Sequence, residues 1–137
     1  MKTNLSKMLG LVLILSICLL AGCSKEKAVS VMLEKVAVES NKTCPIPVDE
    51  ITRCDSIIHP KSTTTLAYYY SLTIPSSEIN VAAMDWSLVK KALIDGIKTN
   101  PQITPLLKFN VTFNHVYFSK EGEKLYEAEI LPADYAK

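Results

Sequence analysis

The feature that most constrains this chain is an uncharged apolar run from Met8 to Ala21, with Lys2 and Lys7 ahead of it. A helix of that length, rising about 1.5 Å per residue, covers only about 21 Å of a hydrocarbon core roughly 30 Å thick. A basic start followed by a short apolar run is the layout of a secretory signal rather than of a membrane span. The 137 residues therefore divide into a leader that ends soon after Ala21 and a working chain that must supply whatever fold there is. Loss of Lys2 and Lys7 takes the formal charge from +1 to −1. A domain so close to neutral lacks the basic surplus from which phosphate-backbone affinity comes, which argues against a nucleic-acid partner. About 115 residues suffice for one domain with a single core, without a metal or disulfide to hold it.

Leu20-Ala21-Gly22-Cys23 resembles the lipobox of bacterial lipoproteins, where small residues fit the signal-peptidase cleft and the Cys thiol receives a diacylglyceryl group. The resemblance implies cleavage before Cys23, which makes residues 1–22 the leader and residues 23–137 the working chain, lipid attachment at Cys23 and a membrane partner held through that anchor. Each buried methylene contributes about 0.8 kcal/mol, so two or three acyl chains, palmitate among them, anchor firmly where one would not. Ser24 resembles the residue that permits outer-membrane sorting in enteric bacteria, where Asp would retain the protein in the inner membrane. The implied location is the cell envelope, facing the periplasm, with the outer membrane preferred to the inner.

Within the working chain, Val29, Met32, Leu33, Val36 and Ala37 recur at i, i+3, i+4 and i+7, which predicts a helix over Glu26 to Ser40. Pro45, Pro47 and Pro60 make the stretch from Asn41 to Pro60 extended and irregular, with a strand around Ile57 left open. From Thr64 to Ile74, Leu66, Tyr68, Tyr70 and Leu72 share one parity and Ala67, Tyr69 and Ser71 the other, which predicts a half-buried strand. Trp86, Val89, Leu93 and Ile97 form a helical stripe ending near Lys98, with Asp85 or Asn80 as cap and Asn100-Pro101 as stop. Alternation over Phe109 to Phe118, a turn through Ser119 to Glu123, and alternation over Lys124 to Leu131 predict a β-hairpin. That order gives an α+β fold: a two-layer sandwich in which a small antiparallel sheet is packed on one side by helices.

The least ordinary stretch runs from Asn41 to Ser56 and contains Cys44-Pro45, Val48-Asp49 and Thr52-Arg53-Cys54-Asp55. It resembles a group of small bacterial proteins with a Cys-Pro, Val-Asp, Thr-Arg-x-Asp pattern. Tyr68-Tyr69-Tyr70, Lys98 to Gln102, Gly122 and Pro132-Ala133-Asp134-Tyr135 extend the likeness over most of the working chain. The resemblance implies no activity. Cys54 departs from it, standing where the pattern has Leu, which suggests a disulfide particular to this lineage. Outside the cytoplasm, pairing of Cys44 with Cys54 is the ordinary expectation, with two buried free thiols or one reactive thiol as the alternatives. Their spacing matches neither a redox Cys-x-x-Cys nor a zinc knuckle.

No Gly-rich phosphate loop, nucleophile elbow, His-Glu-x-x-His or calcium loop is present, so no catalytic residue, metal or cofactor is assigned. Cys44 as a nucleophile, with His59 or His115 as base and Asp49 or Asp55 behind it, can be written on paper, but any chain with two His and several Asp offers as much. His115 reads instead as a packed sheet residue and His59 as a loop residue. Arg53 and Tyr69 are the candidates for contact with a partner. Arg53 has the competing role of pairing with a carboxylate inside its loop, and Tyr69 lies on the sheet face opposite Tyr68 and Tyr70. The leading expectation is a non-enzymatic envelope lipoprotein whose small domain has a binding or a structural role, either binding another envelope component, such as an envelope protein, or helping to maintain it. An inhibitor or immunity lipoprotein acting on a lytic enzyme is the alternative, and a thiol enzyme using Cys44 comes third.

Overall fold

The structure, a computed structural model, describes residues 25–136. The leader, the lipobox and Cys23 lie outside them. Helix α1 spans residues 25–41 and buries Leu33 and Ala37 fully, with Val29, Met32 and Val36 packed against the same core. These are the five residues of the predicted stripe. Asn41, its last residue, ties the helix end to strand β2 (Thr52–Ile58). Its Nδ2 donates to the Ile57 carbonyl at 2.6 Å, and the Ile57 N–H donates to its Oδ1 at 2.8 Å. A side-chain amide thus completes the edge of β2 as a neighbouring strand would.

Strands β1 (Ile46–Pro47) and β2 (Thr52–Ile58) form a hairpin, and β2 pairs antiparallel with β3 (Thr65–Leu72). Part of the stretch expected to be irregular is therefore sheet, including the strand around Ile57 that the sequence left open. A bulge between Cys54 and Ser56 shifts the register, so Thr52 and Cys54 are buried before it and Ile57 and His59 after it. The inward parity changes from even to odd within one strand, which hides β2 from a period-two reading.

After β3, two short 310 turns, Ser76–Glu78 and Val81–Ala83, precede α2 (Trp86–Thr99). Asp85 is the cap, accepting from the Ser87 and Leu88 N–H groups. A 310 helix over Thr104–Phe109 follows, so Phe109 belongs to it and not to the next strand, which begins only after Asn110 turns the chain at φ 54°. Strands β4 (Thr112–Phe118) and β5 (Lys124–Ile130) form the predicted hairpin, closed by Gly122 at φ 91°. A last turn of helix, α3 (Pro132–Tyr135), was not foreseen. Its Tyr135 hydroxyl donates to the Val111 carbonyl at 2.8 Å.

The sheet order is β1-β2-β3-β4-β5. The expected α+β architecture holds with one correction: β3 and β4 are parallel. The chain between them crosses over through α2 and re-enters from the same end, as a parallel pair requires. The core of Leu33, Ile57, Leu66, Tyr70, Ile97, Leu106, Phe113, Ile130 and Tyr135 places every helix on one sheet face. Among the described residues no helix is long and apolar enough to cross a membrane.

Candidate functional site

On the helix-covered face the strand registers line up rows of aromatic residues. Cys54, Tyr70, Tyr117 and Tyr126 make one row, and Ile57, Tyr68, His115 and Ala128 the next. Tyr70 stacks on Tyr117 at 4.6 Å, Tyr68 on His115 at 4.9 Å, and Trp86 at the start of α2 on Tyr126 at 4.3 Å. Stacked rings of this kind give a wide apolar floor at little conformational cost.

The helices do not cover that floor completely. One cleft of about 520 Å³ opens between the end of α1 and the 310 helix, with Val36, Ile46, Val48, Tyr68 and Ile103 in its walls. A second, of about 530 Å³, is lined by Val48, Ile51, Leu72, Trp86, Val89 and Tyr117 and carries Asp49 and Glu50 in its wall. Val48 lines both and is 56% exposed. Ile46, Ile51 and Leu88 are exposed as well. The β1–β2 turn thus raises apolar side chains between two apolar clefts, with acidic groups as the charged element of the second. The turn is fixed from within: Asp49 Oδ1 accepts from the Ile51 N–H at 2.9 Å, and the Thr52 carbonyl accepts from the Val48 N–H at 2.9 Å.

The floor excludes charge. Burial pushes the Tyr68 and Tyr117 phenols up to about 12 and Tyr70 higher still. It pulls His115 down to about 4, so the ring is neutral at physiological pH. His115 Nδ1 lies 3.0 Å from the Tyr70 hydroxyl, and its Nε2 is buried without a partner among the described residues.

Cys44 and Cys54, expected to be joined, stand as free thiols. Cys44 sits just outside the β1–β2 ladder and donates to the Ser40 carbonyl at 3.6 Å, while Cys54 donates to the Ser56 carbonyl at 3.8 Å. Burial first, and then the Cys44 thiol beside it, push Cys54 up to about 12. A thiol so rarely ionised is a poor nucleophile. Nor is the paper triad assembled, since the contacts of His59 are Ser30 and the Thr65 carbonyl, and the contact of His115 is Tyr70. Among the described residues no group of His, Cys, Asp and Glu could hold a metal ion.

Arg53 and Tyr69 lie together, but on the opposite, helix-free face. Arg53 Nε donates to Asp55 Oδ1 at 2.7 Å and to Ser71 Oγ at 3.0 Å, and Tyr69 stacks on Phe118 at 6.4 Å. The groove on the covered face was missed. Its sequence signal was the apolar pair Val48 and Ile51 flanking Asp49-Glu50 in a turn, where polar residues alone would serve.

Residues 28–126 match the profile of the family described as Domain of unknown function (DUF8479), and the chain belongs to that family. No curated protein matches it by sequence. Among solved structures it is similar to a Pseudomonas aeruginosa protein inferred to be secreted, with a TM-score of 0.68 at 20% identity over 81% of this chain and 96% of that one. It is also similar to the pilotin EpsS of the Vibrio vulnificus type 2 secretion system, at TM-score 0.67 and 11% identity over 82% and 96% of the two chains. The pilotin AspS of the Vibrio cholerae type II secretion system matches at TM-score 0.65 and 11% identity over 83% and 98%.

Proposed function

We propose that this member of the DUF8479 family is an envelope lipoprotein, tethered through Cys23 and working in the manner of a pilotin. In this reading its groove holds an apolar segment of another envelope protein, a component of a secretion system. The observation that carries the reading is the pair of apolar clefts meeting at Val48. Their exposed aliphatic residues give a partner segment its anchors, and Asp49 and Glu50 favour one with basic flanks. The pilotin-like fold supports the choice of partner class. The lipobox supports the anchor and, with Ser24, an outer-membrane location.

Lys25, the first described residue of α1, is two positions after Cys23 in the sequence. An anchor there holds the start of α1 at the membrane and turns the groove, at the far end of α1, toward the periplasm.

The test is a photocrosslinking residue at Val48 in intact cells, with palmitate labelling in parallel. The expected result is an adduct with a secretion-system component that Trp86→Ala weakens about tenfold or more, together with palmitate label that Cys23→Ala abolishes. A Val48 adduct that is absent, or indifferent to Trp86→Ala, overturns the groove. Label retained by Cys23→Ala overturns the anchor.

A further inference from the structure

At the end of α1 opposite the groove, Ser30 and His59 meet across 29 positions of sequence. Ser30 Oγ lies 2.8 Å from His59 Nε2, and His59 Nδ1 lies 2.9 Å from the Thr65 carbonyl oxygen. A carbonyl oxygen only accepts. The neutral ring must therefore carry its proton on Nδ1 and offer Nε2 as the acceptor for the Ser30 hydroxyl. His59 is 6% exposed, and the bulge in β2 is what brings it inward, since the parity before the bulge would place it on the face of Arg53. A helical serine ordinarily returns its proton to a carbonyl one turn earlier. Here the proton goes to an imidazole whose orientation is fixed from behind.

Ser30 is half-buried in the wall of a cleft of about 620 Å³. Glu26 and Lys27 of α1 and the run Ser62-Thr63-Thr64-Thr65 line the rest. Thr63 Oγ1 is occupied, donating to the Pro60 carbonyl and accepting from the Thr65 N–H. Ser62, in left-handed backbone at φ 62°, and Thr64 keep hydroxyls for a ligand, and Lys27 brings a positive charge to the same cleft. The nucleophile and the donors for a developing oxyanion thus border one open space, and the base stands directly behind the nucleophile, held there by the Thr65 carbonyl.

We propose that this cleft is an acyl-transfer site for carboxylic esters, with Ser30 as nucleophile and His59 as base. Ser30 Oγ forms a bond to the ester carbonyl carbon while its proton passes to His59 Nε2. Lys27 and the loop hydroxyls stabilise the oxyanion. Collapse breaks the bond to the leaving alkoxide, which takes the proton from Nε2 and departs as the alcohol. Water then adds to the acyl-enzyme and gives a proton to Nε2, and the carboxylic acid leaves as that proton returns to Ser30 Oγ. Ser30 lies seven residues from Cys23, at most about 15 Å along the chain. A lipid ester is thus the nearest source if the anchor reading holds. The nucleophile itself does not depend on that reading.

The test treats the full chain, purified in detergent, with a fluorophosphonate probe and maps the adduct by mass spectrometry. The expected result is phosphonylation of Ser30, absent in Ser30→Ala and slowed about 100-fold in His59→Gln, a variant that keeps a hydrogen-bonding side chain. No adduct on wild-type Ser30 overturns the proposal without recourse to any variant. So does an unchanged rate in His59→Gln of native circular dichroism. Fatty acid released from phosphatidylethanolamine and phosphatidylglycerol vesicles assigns a lipid ester. Hydrolysis confined to p-nitrophenyl butyrate assigns a small soluble one, and hydrolysis of neither overturns the site. A chain that labels at Ser30 yet takes no palmitate at Cys23 refutes the anchor and keeps the nucleophile.

Discussion

Tyr70 and Ser71 are neighbours in β3 but belong to different solvents. Tyr70 points into the helix-covered face, 7% exposed and stacked on Tyr117, and burial holds its phenol protonated far beyond the usual range. Ser71 points to the open face, where it accepts from an Arg53 that is also paired with Asp55 in water. Titratable groups on the covered face are displaced by burial toward their neutral forms. On the open face Glu127 is displaced toward its charged form by the Lys124 ammonium and the Asn114 amide. The covered face supplies the clefts in which a partner segment finds apolar anchorage, whereas the open face carries its charges paired in water.

The largest test of that contrast removes packing from the covered face. Phe113 is fully buried and meets Tyr135 edge to face at 6.0 Å. Phe113→Ala is expected to lose about 3–5 kcal/mol, read as a lower urea midpoint at unchanged slope. A loss below about 1 kcal/mol would mean that this face collapses around cavities and is not a rigid floor.

A second test uses protons. His115 falls from an ordinary 6.5 to about 4 because burial disfavours its charged form. The unfolded chain takes up a proton near pH 6.5 that the folded chain refuses until about pH 4. The contribution of His115 is thus fully present above pH 6.5, declines as pH falls, and is gone below about 4, in total about 3 kcal/mol. His115→Phe keeps the ring against Tyr68 and removes the titration. Urea unfolding at pH 7.5 and 4.5 should therefore show a smaller acid loss in the variant than in the wild type. Equal losses would place the His115 ring in contact with water.

How far this division was legible depended on how local its cause is. The α1 stripe, the alternation of β3 and the β4–β5 hairpin follow from spacing within one segment, and the structure reproduces them. The parallel pairing of β3 with β4 depends on where α2 returns the chain, which no single segment encodes. Strand β2 was obscured because one bulge residue moves the inward positions from Cys54 to Ile57. Four residues suffice for α3, too few for a period. The groove joins Val48, Trp86 and Tyr117 from three elements, and the Ser30–His59 contact joins a helix to the end of a bulged strand. Their members were visible in the sequence as residues, but their meeting depended on topology.

The smallest expected effect bears most directly on which face meets a partner. Arg53 and Asp55 carry the most prominent charge pair of the open face, with side chains 52% and 34% exposed. Water screens such a pair, and holding two side chains in register offsets much of the attraction, so Arg53→Ala should lose less than about 1 kcal/mol, and less again at high salt. A double-mutant cycle with Asp55→Ala measures the coupling directly. Coupling above about 2 kcal/mol would make the pair structural, beyond what an exposed ion pair supplies. If the stability loss is small, the same variant becomes a clean probe of function: it leaves the fold and the groove intact while removing the one guanidinium of the chain. Crosslinking at Val48 should then proceed unchanged in Arg53→Ala and in Tyr69→Ala. A capture that survives Trp86→Ala but fails in these two would move the partner to the open face, where Arg53 and Tyr69 would be its anchors.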